Sequence, residues 1–408
     1  MRIIFFLLVL VLFFQCAFAQ QNITTSSSQS SSADVVTDST RQRDIIDYLH
    51  LLFDKVKDPD ERKLPKRVNL ALIPTVGYTL STGLTAGVSS VATFYTQPNF
   101  SLNVSTINAQ AFYDSHDQET FFSQANIWAD NDNYKFVSDF RIEKYPDVTY
   151  GLGNGSTTQT ADDITYNYIR LYETALRRIT GNYYVGVGYN LDYHYNITET
   201  KSKLQAITAF ERYGATSSSR SSGYNFDFLY DSRTNPENAL GGTFVNLIFR
   251  NNYAFLGSDA NTTSAIFDIR KYIKLSKHSN NILAIWSYDW LTLSGRPPYL
   301  DLPSTGADMY NNTGRGYPID RFRGNNMIYL EAEYRFGITK NGLLGAVVFS
   351  NVANYSKNIT NNLNNIIPAG GGGLRIKINK HSNTNLCIDY GVGTDNSRGF
   401  FVNLGEVF

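Results

Sequence analysis

Cysteine is nearly absent from this chain, with two in 408 residues, Cys16 and Cys387. Cys16 falls inside an N-terminal leader, so the mature chain is expected to keep Cys387 alone and to form no internal disulfide. Charge of one sign is missing too. Lys and Arg number 36, Asp and Glu 36, and the pI is near 7.0, so no electrostatic footprint for nucleic acid exists. Charged residues make up 18%, below the roughly 25% of soluble domains. Long hydrophobic runs stop with the leader. Nothing beyond it reaches the ~18 apolar residues of a membrane-spanning helix, which excludes a helical membrane protein. The five histidines (His50, His116, His194, His278, His381) lack metal-ligand spacing. No Gly-x-Ser-x-Gly elbow occurs. Gly370–Gly373 is followed by no Lys-Ser/Thr and is not a phosphate loop. The run is expected instead to let a wall bend or another segment approach. No catalytic residue, metal or cofactor is expected.

The leader covers residues 1–19. Arg2 gives a positive start, Ile3–Phe14 an apolar core, and Ala17-Phe18-Ala19 a small-x-small cleavage site before Gln20. Residues 20–66 form a tail whose Ser26–Ser32 run has linker composition. Within it, Ile45, Ile46, Leu49, Leu52, Phe53 and Val56 recur at helical spacing over 44–56. That short amphipathic helix suits a membrane surface, a barrel mouth, a partner or the barrel's own inner rim.

Aromatics are plentiful: 14% of the chain, with 28 Tyr and 26 Phe. Tyrosine suits membrane–water boundaries. From Val68 onward strand-like segments follow one another to Phe408, separated by polar turns. They sort their residues by parity, because successive strand side chains point to opposite faces. In 326–336, Ile328, Leu330, Ala332, Tyr334 and Phe336 share one face; Tyr329, Glu331, Glu333 and Arg335 share the other. In 183–195, Tyr183, Val185, Val187, Tyr189, Leu191, Tyr193 and Tyr195 alternate with Tyr184, Gly186, Gly188, Asn190, Asp192 and His194. A membrane barrel uses both faces, lipid outside and a polar lumen inside. Only closure satisfies every backbone group in lipid. The chain is therefore expected to be an all-β, sixteen-stranded antiparallel transmembrane β-barrel over 67–408, with a short N-terminal amphipathic helix. Its first strand is placed at Val68–Thr79 and its last at 398–408. Segments 146–163, 199–222 and 295–324 read as external loops, and Ser81-Thr82-Gly83 as a periplasmic turn.

These motifs resemble the BamA-like superfamily of outer-membrane assembly and secretion barrels, the bacterial surface antigens, over about 68–408. Ile73–Gly83 is similar to the family's first strand and turn. Tyr230–Asn235 with Gly241–Phe244 is similar to its mid-barrel Asp-x-Arg strand end and restart. Gly314-Arg315-Gly316-Tyr317 resembles the Val-Arg-Gly-aromatic tip of the sixth external loop, in the right gap before the twelfth strand. Gly370–Arg375, Ile388–Gly391 and Asn403–Phe408 resemble the last three strands. The resemblance implies that Arg315 folds into the lumen and pairs with wall acids, with Gly316 permitting the bend and Tyr317 packing beside it. Glu331, Glu333 and Asp389 stand at inward parity. Asn351 occupies the position where the family often has Asp; it is expected to accept a hydrogen bond without adding charge. Gly405 and Phe408 resemble the C-terminal signal for barrel insertion, and Phe408 equally suits an aromatic girdle on an apolar last strand. Between residue 20 and Val68 there is no room for a periplasmic polypeptide-transport domain.

The resemblance implies residence in the outer membrane of a Gram-negative cell and help with protein insertion or secretion through a weak first/last-strand seam. The expected partners are outer-membrane lipid, unfolded barrel or secreted clients and a separate periplasmic protein; the chain is expected to act as a monomer and to bind no nucleic acid. A passive pore or structural surface antigen, plugged by the long loop, is the alternative.

Overall fold

The structure, a computed structural model, describes residues 43–44, 68–79, 83–97, 103–201, 207–236, 238–276, 279–358, 365–380 and 383–408. The leader and, past its first residue Asp44, the expected helix over 44–56 lie outside the described residues. The strands are β1 (Val68–Thr79), β2 (Gly83–Phe94), β3 (Ser105–Asp114), β4 (Glu119–Ala129), β5 (Tyr134–Thr149), β6 (Asp162–Thr180), β7 (Tyr183–Thr200) and β8 (Ser218–Asp231). They continue as β9 (Gly242–Asn252), β10 (Thr262–Lys274), β11 (Ile282–Ser294), β12 (Asn326–Gly337), β13 (Leu344–Ser356), β14 (Ile367–Asn379), β15 (Thr384–Gly393) and β16 (Arg398–Leu404). Among the described residues these make one antiparallel sheet in chain order. The ends of that order, β1 and β16, touch, but no ladder joins them among the described residues. One helix longer than a single turn is described, α1 (Ala209–Gly214), capped by Thr208, whose hydroxyl accepts from the Glu211 N–H. No described helix is long and apolar enough to cross a membrane.

Parity governs the strands. Along β12 the burial alternates residue by residue: Tyr329, Glu331, Glu333 and Arg335 are buried, while Leu330 and Tyr334 are exposed. On β7, Tyr183, Val185, Val187 and Tyr189 are exposed, whereas Asn190, Asp192 and His194 are buried. The polar side is the covered side, the reverse of a soluble sandwich. The alternation reverses after Tyr195. Asn196 takes a left-handed φ of 55° and the β6–β7 register slips between Thr165 and Asn167. Such a bulge puts one extra residue on one strand and turns the next side chain over. Ile197 thus joins a buried cluster with Ile164, Tyr166, Phe210 and Tyr299.

Two expectations are corrected. A meander in chain order places every odd-to-even connection at one end, so the β1–β2 link around Gly83 shares its end with the β5–β6, β7–β8 and β11–β12 loops instead of lying at the end opposite to them as expected. The last strand does not run to residue 408. It ends at Leu404, and Gly405 adopts φ 91°, a left-handed bend that turns the chain off the sheet. Val407 and Phe408 are consequently buried inside, so Phe408 is not a lipid-facing girdle residue.

Candidate functional site

The β11–β12 loop, 295–325, folds inside the sheet. Its own hydrogen bonds shape it. Asp308 accepts from the N–H groups of Tyr310 (3.1 Å), Asn312 (2.8 Å) and Thr313 (2.6 Å), and a bridge joins Ser304 to Arg323. Arg323 Nη1 donates to Leu300 O at 2.9 Å and Nη2 to Asp320 Oδ1 at 2.6 Å. The folded loop crosses the interior. On one side, Arg141 Nη2 on β5 donates to Met309 O at 2.6 Å and Gln124 Nε2 on β4 donates to the same oxygen at 2.5 Å. On the other side, Ser397 Oγ donates to Gly316 O at 2.6 Å.

At the tip Arg315 is 1% exposed. Its Nη1 donates to Asp389 Oδ2 on β15 at 2.5 Å, and its Nη2 donates to both Glu331 and Glu333 on β12. The guanidinium lies over the Phe349 ring at 3.9 Å, a cation–π contact at a buried position. Removing one partner of such a buried group leaves the others uncompensated. Asn351 is at the site in a different role from the expected one. Its Nδ2 donates to the Arg315 main-chain oxygen at 2.9 Å, fixing the loop backbone rather than accepting from the guanidinium. Tyr317 is buried against Phe322, and its hydroxyl donates to Pro368 O at 2.6 Å while accepting from the Thr394 N–H at 2.8 Å.

Glycine makes the dock possible. Gly316 has φ 113°, and a Cβ there meets Ala369 Cβ at 2.8 Å. Opposite it, a Cβ on Gly391 lies 2.8 Å from Gly316 N, one on Gly393 2.4 Å from the Tyr317 ring, and one on Gly373 1.8 Å from Asp389 Oδ1. These inward positions of β14 and β15 are bare so that loop backbone and acid side chain fit.

The wall continues the network toward the C-terminal segment. Arg335 Nε donates to Glu333 Oε2 at 2.7 Å and its Nη2 to Phe408 O at 2.9 Å. Arg375 Nη1 contacts Asp389 Oδ1 at 2.5 Å, and its Nε contacts Glu406 Oε2 at 2.8 Å. Phe408 stacks on Trp286 with centroids 5.1 Å apart. Gly405 and Phe408, singled out together in sequence, therefore sit respectively at the bend and inside.

Sequence reasoning missed a second cluster on the opposite wall. Arg250 Nη1 contacts Asp192 Oδ2 at 2.6 Å; Arg170 lies 3.3 Å from Asp139 and 3.5 Å from Asp192; and Arg141 Nη2 contacts Asp139 Oδ2 at 2.9 Å. Tyr172 donates to Asp192 Oδ2 at 2.7 Å. The signal was available, because Asp139 and Arg141 are two apart at inward parity, as are Arg170 and Tyr172. His194, expected in the lumen, is buried with its ring stacked on Tyr168 at 4.3 Å and its Nδ1 3.2 Å from Asp301 Oδ1 of the long loop. Near it, burial pushes the Tyr299 phenol above its ordinary value and Thr149 lies 2.5 Å from its oxygen. No group of acids, histidines or cysteines suited to a metal exists among the described residues.

No family model and no curated protein matches the chain. Solved structures do. BamA from Haemophilus ducreyi lacking POTRA domains 1–3 is 14% identical with a TM-score of 0.53, the match covering 84% of this chain and 71% of that one. CdiB from Acinetobacter baumannii is 14% identical with a TM-score of 0.52, over 84% of this chain and 61% of that one. CdiB from Escherichia coli is 12% identical with a TM-score of 0.54, over 83% and 63%. The chain thus spans less than two thirds of either CdiB. The likeness is one of fold: an antiparallel all-β sheet arranged as in the BamA and CdiB barrels.

Proposed function

We propose that the chain is a closed, sixteen-stranded barrel of the outer membrane that helps other proteins insert into or cross that membrane at the seam between β1 and β16. The carrying observation is the seam itself. β1 has 12 residues and β16 has 7, and no ladder joins them among the described residues. β1 therefore outruns its neighbour and leaves main-chain donors and acceptors to template a further strand. Pro74 weakens the seam further. It lies inside β1, paired with Val88 of β2. A proline in a paired strand turns its donor-less nitrogen to the free edge, so the edge facing β16 lacks one N–H. Val68, Leu70 and Leu72 are exposed on the outer side, as lipid contact requires. The likeness in fold to BamA and CdiB supports the same reading. Clients are unfolded barrel or secreted proteins delivered by a separate periplasmic partner, and the barrel acts as a monomer.

The test is a lock. Cysteine pairs joining Leu70 or Leu72 to Phe400 or Val402, oxidised in cells, should stop client assembly, and reduction should restore it. Equal assembly in the locked and reduced states sinks the insertion reading. A second reading is a passive barrel stoppered by its loop, favoured by the loop's crossing of the interior to Gln124 and Arg141. Planar-bilayer recordings separate the two: a passive barrel opens a steady conductance in Arg315→Ala while client assembly stays normal.

A further inference from the structure

The C-terminal segment Gly405–Phe408 is held inside by groups that also hold the loop. Glu406 contacts Arg375 at 2.8 Å and Arg335 at 3.7 Å, and accepts from Asn385 Nδ2 at 2.7 Å. Asn312 of the loop donates to Val407 O at 2.8 Å, and Asn403 Nδ2 donates to Asn312 Oδ1 at 3.0 Å. Phe408 lies against Trp286 and Tyr272, with the Arg335 guanidinium 5.1 Å from its ring. Two of the three acids that bind Arg315, Glu333 and Asp389, are also bound by Arg335 and Arg375.

Charge bookkeeping then couples the two segments. Arg315, Arg335 and Arg375 face Glu331, Glu333, Asp389 and Glu406, three guanidiniums in direct contact with four side-chain carboxylates, with Arg335 also donating to the Phe408 main-chain carboxyl. Lifting the loop takes Arg315 away and leaves two guanidiniums against four buried carboxylates. Like charges in a covered site repel strongly. Glu406 is the only one of the four not carried by a paired strand, so it is the one free to leave. Lifting the loop also removes Asn312 from Val407.

We propose that Gly405–Phe408 is a displaceable internal ligand, seated in the lumen while Arg315 is latched and released when the loop lifts, and that on release it extends β16 along the first residues of β1. The register with β15 leaves room for the extension. Leu386 pairs with Leu404, so the next positions, Gly405 and Glu406, fall opposite Asn385 and Thr384, the start of β15. A hydrogen bond from Gly405 N to Asn385 O, 2.8 Å, already marks the first of them. The inference deepens the seam reading and rests on it: the loop governs how far β16 reaches, and thereby how much of β1 stays open to another strand.

The experiment reads the segment's position in the intact barrel, with Cys387 replaced by serine. Val407→Cys is paired either with Tyr272→Cys on the wall, a member of the same buried cluster, to report the inside position, or with Val68→Cys, to report the outside one. Bridging by dibromobimane is quantified for each pair. In the otherwise unaltered chain the 272–407 bridge should dominate. Arg315→Gln should cut it at least fivefold and raise 68–407, and Arg315→Gln with Glu406→Gln should restore it. Gly391→Ala, which displaces the loop without touching any charge, should shift the bridges in the same direction and covers the case in which Arg315→Gln does not fold. An unchanged 272–407 yield when the loop is displaced overturns the proposal, as does a shift that Glu406→Gln fails to reverse. The readout does not involve clients. Exchange of the segment together with normal client assembly in the locked seam would sink the insertion reading and leave the switch standing.

Discussion

Two arginine clusters lie on different stretches of the sheet, one on β5–β9 and one on β12–β15, and they are built differently. In the β5–β9 cluster both signs come from the wall. Arg170 and Asp192 are direct cross-strand partners, and Arg250 reaches Asp192 from β9. In the β12–β15 cluster the central cation, Arg315, arrives on a loop and meets acids on two strands that are not neighbours. The first cluster ties wall strands to one another, neighbours and next-but-one alike, and moves only if the wall unfolds. The second ties a loop to the wall and can be undone with every strand in place. Equal chemistry thus joins wall to wall in one cluster and loop to wall in the other.

The contrast breaks most sharply at Arg315. Arg315→Ala should destabilise the latched state by about 3–5 kcal/mol, the cost of stranding buried acids. Limited proteolysis should then cut within 295–325 while the heat-modifiable mobility of the folded barrel persists; a loop as resistant as before refutes the latch. Asp192→Asn on the wall cluster should cost less, about 1.5–3 kcal/mol, since shape is kept and only charge-assisted bonds weaken. Urea unfolding should register it, with no new cleavage of the loop; loop cleavage there would erase the distinction. Gly316→Ala should cost roughly 1–3 kcal/mol through strain at φ 113° and contact with Ala369, again seen as loop cleavage. The exposed Lys144–Glu119 pair, 3.2 Å apart with both side chains about half in solvent, is the baseline. Lys144→Ala should change the unfolding midpoint by at most ~0.5–1 kcal/mol equivalent.

The wall was legible in sequence because a period of two is local. Tyr183–Tyr189 and Ile328–Phe336 announce which side chains go out and which go in before any fold is known. Glu331, Glu333 and Asp389 were placed by that parity, and Arg315 by its glycines and its position before a strand. The path of Gly405–Phe408 was not legible. Phe408 continues the alternation of Phe400, Val402 and Leu404, so the period says wall, whereas a left-handed bend at one glycine and an aromatic bed on Trp286 say interior. Asn351 shows the same limit: parity places its side chain, but whether its amide donates or accepts depends on a loop backbone folded from elsewhere. The β1–β2 link was set at the wrong end relative to the long loops because three residues look like a turn at either end, and only the count of strands shows that it shares their end.

Gly373, Gly391 and Gly393 have one more consequence. Where other strands turn side chains inward, this stretch of β14 and β15 offers bare peptide, and the thickness missing there is supplied by Gly316 and Tyr317. The loop is less a cork than a panel of the staves themselves. Withdraw it, and Gly391 and Gly393 lose the backbone and ring that cover them, so this stretch of β14 and β15 is expected to become more pliable than strands that carry inward side chains.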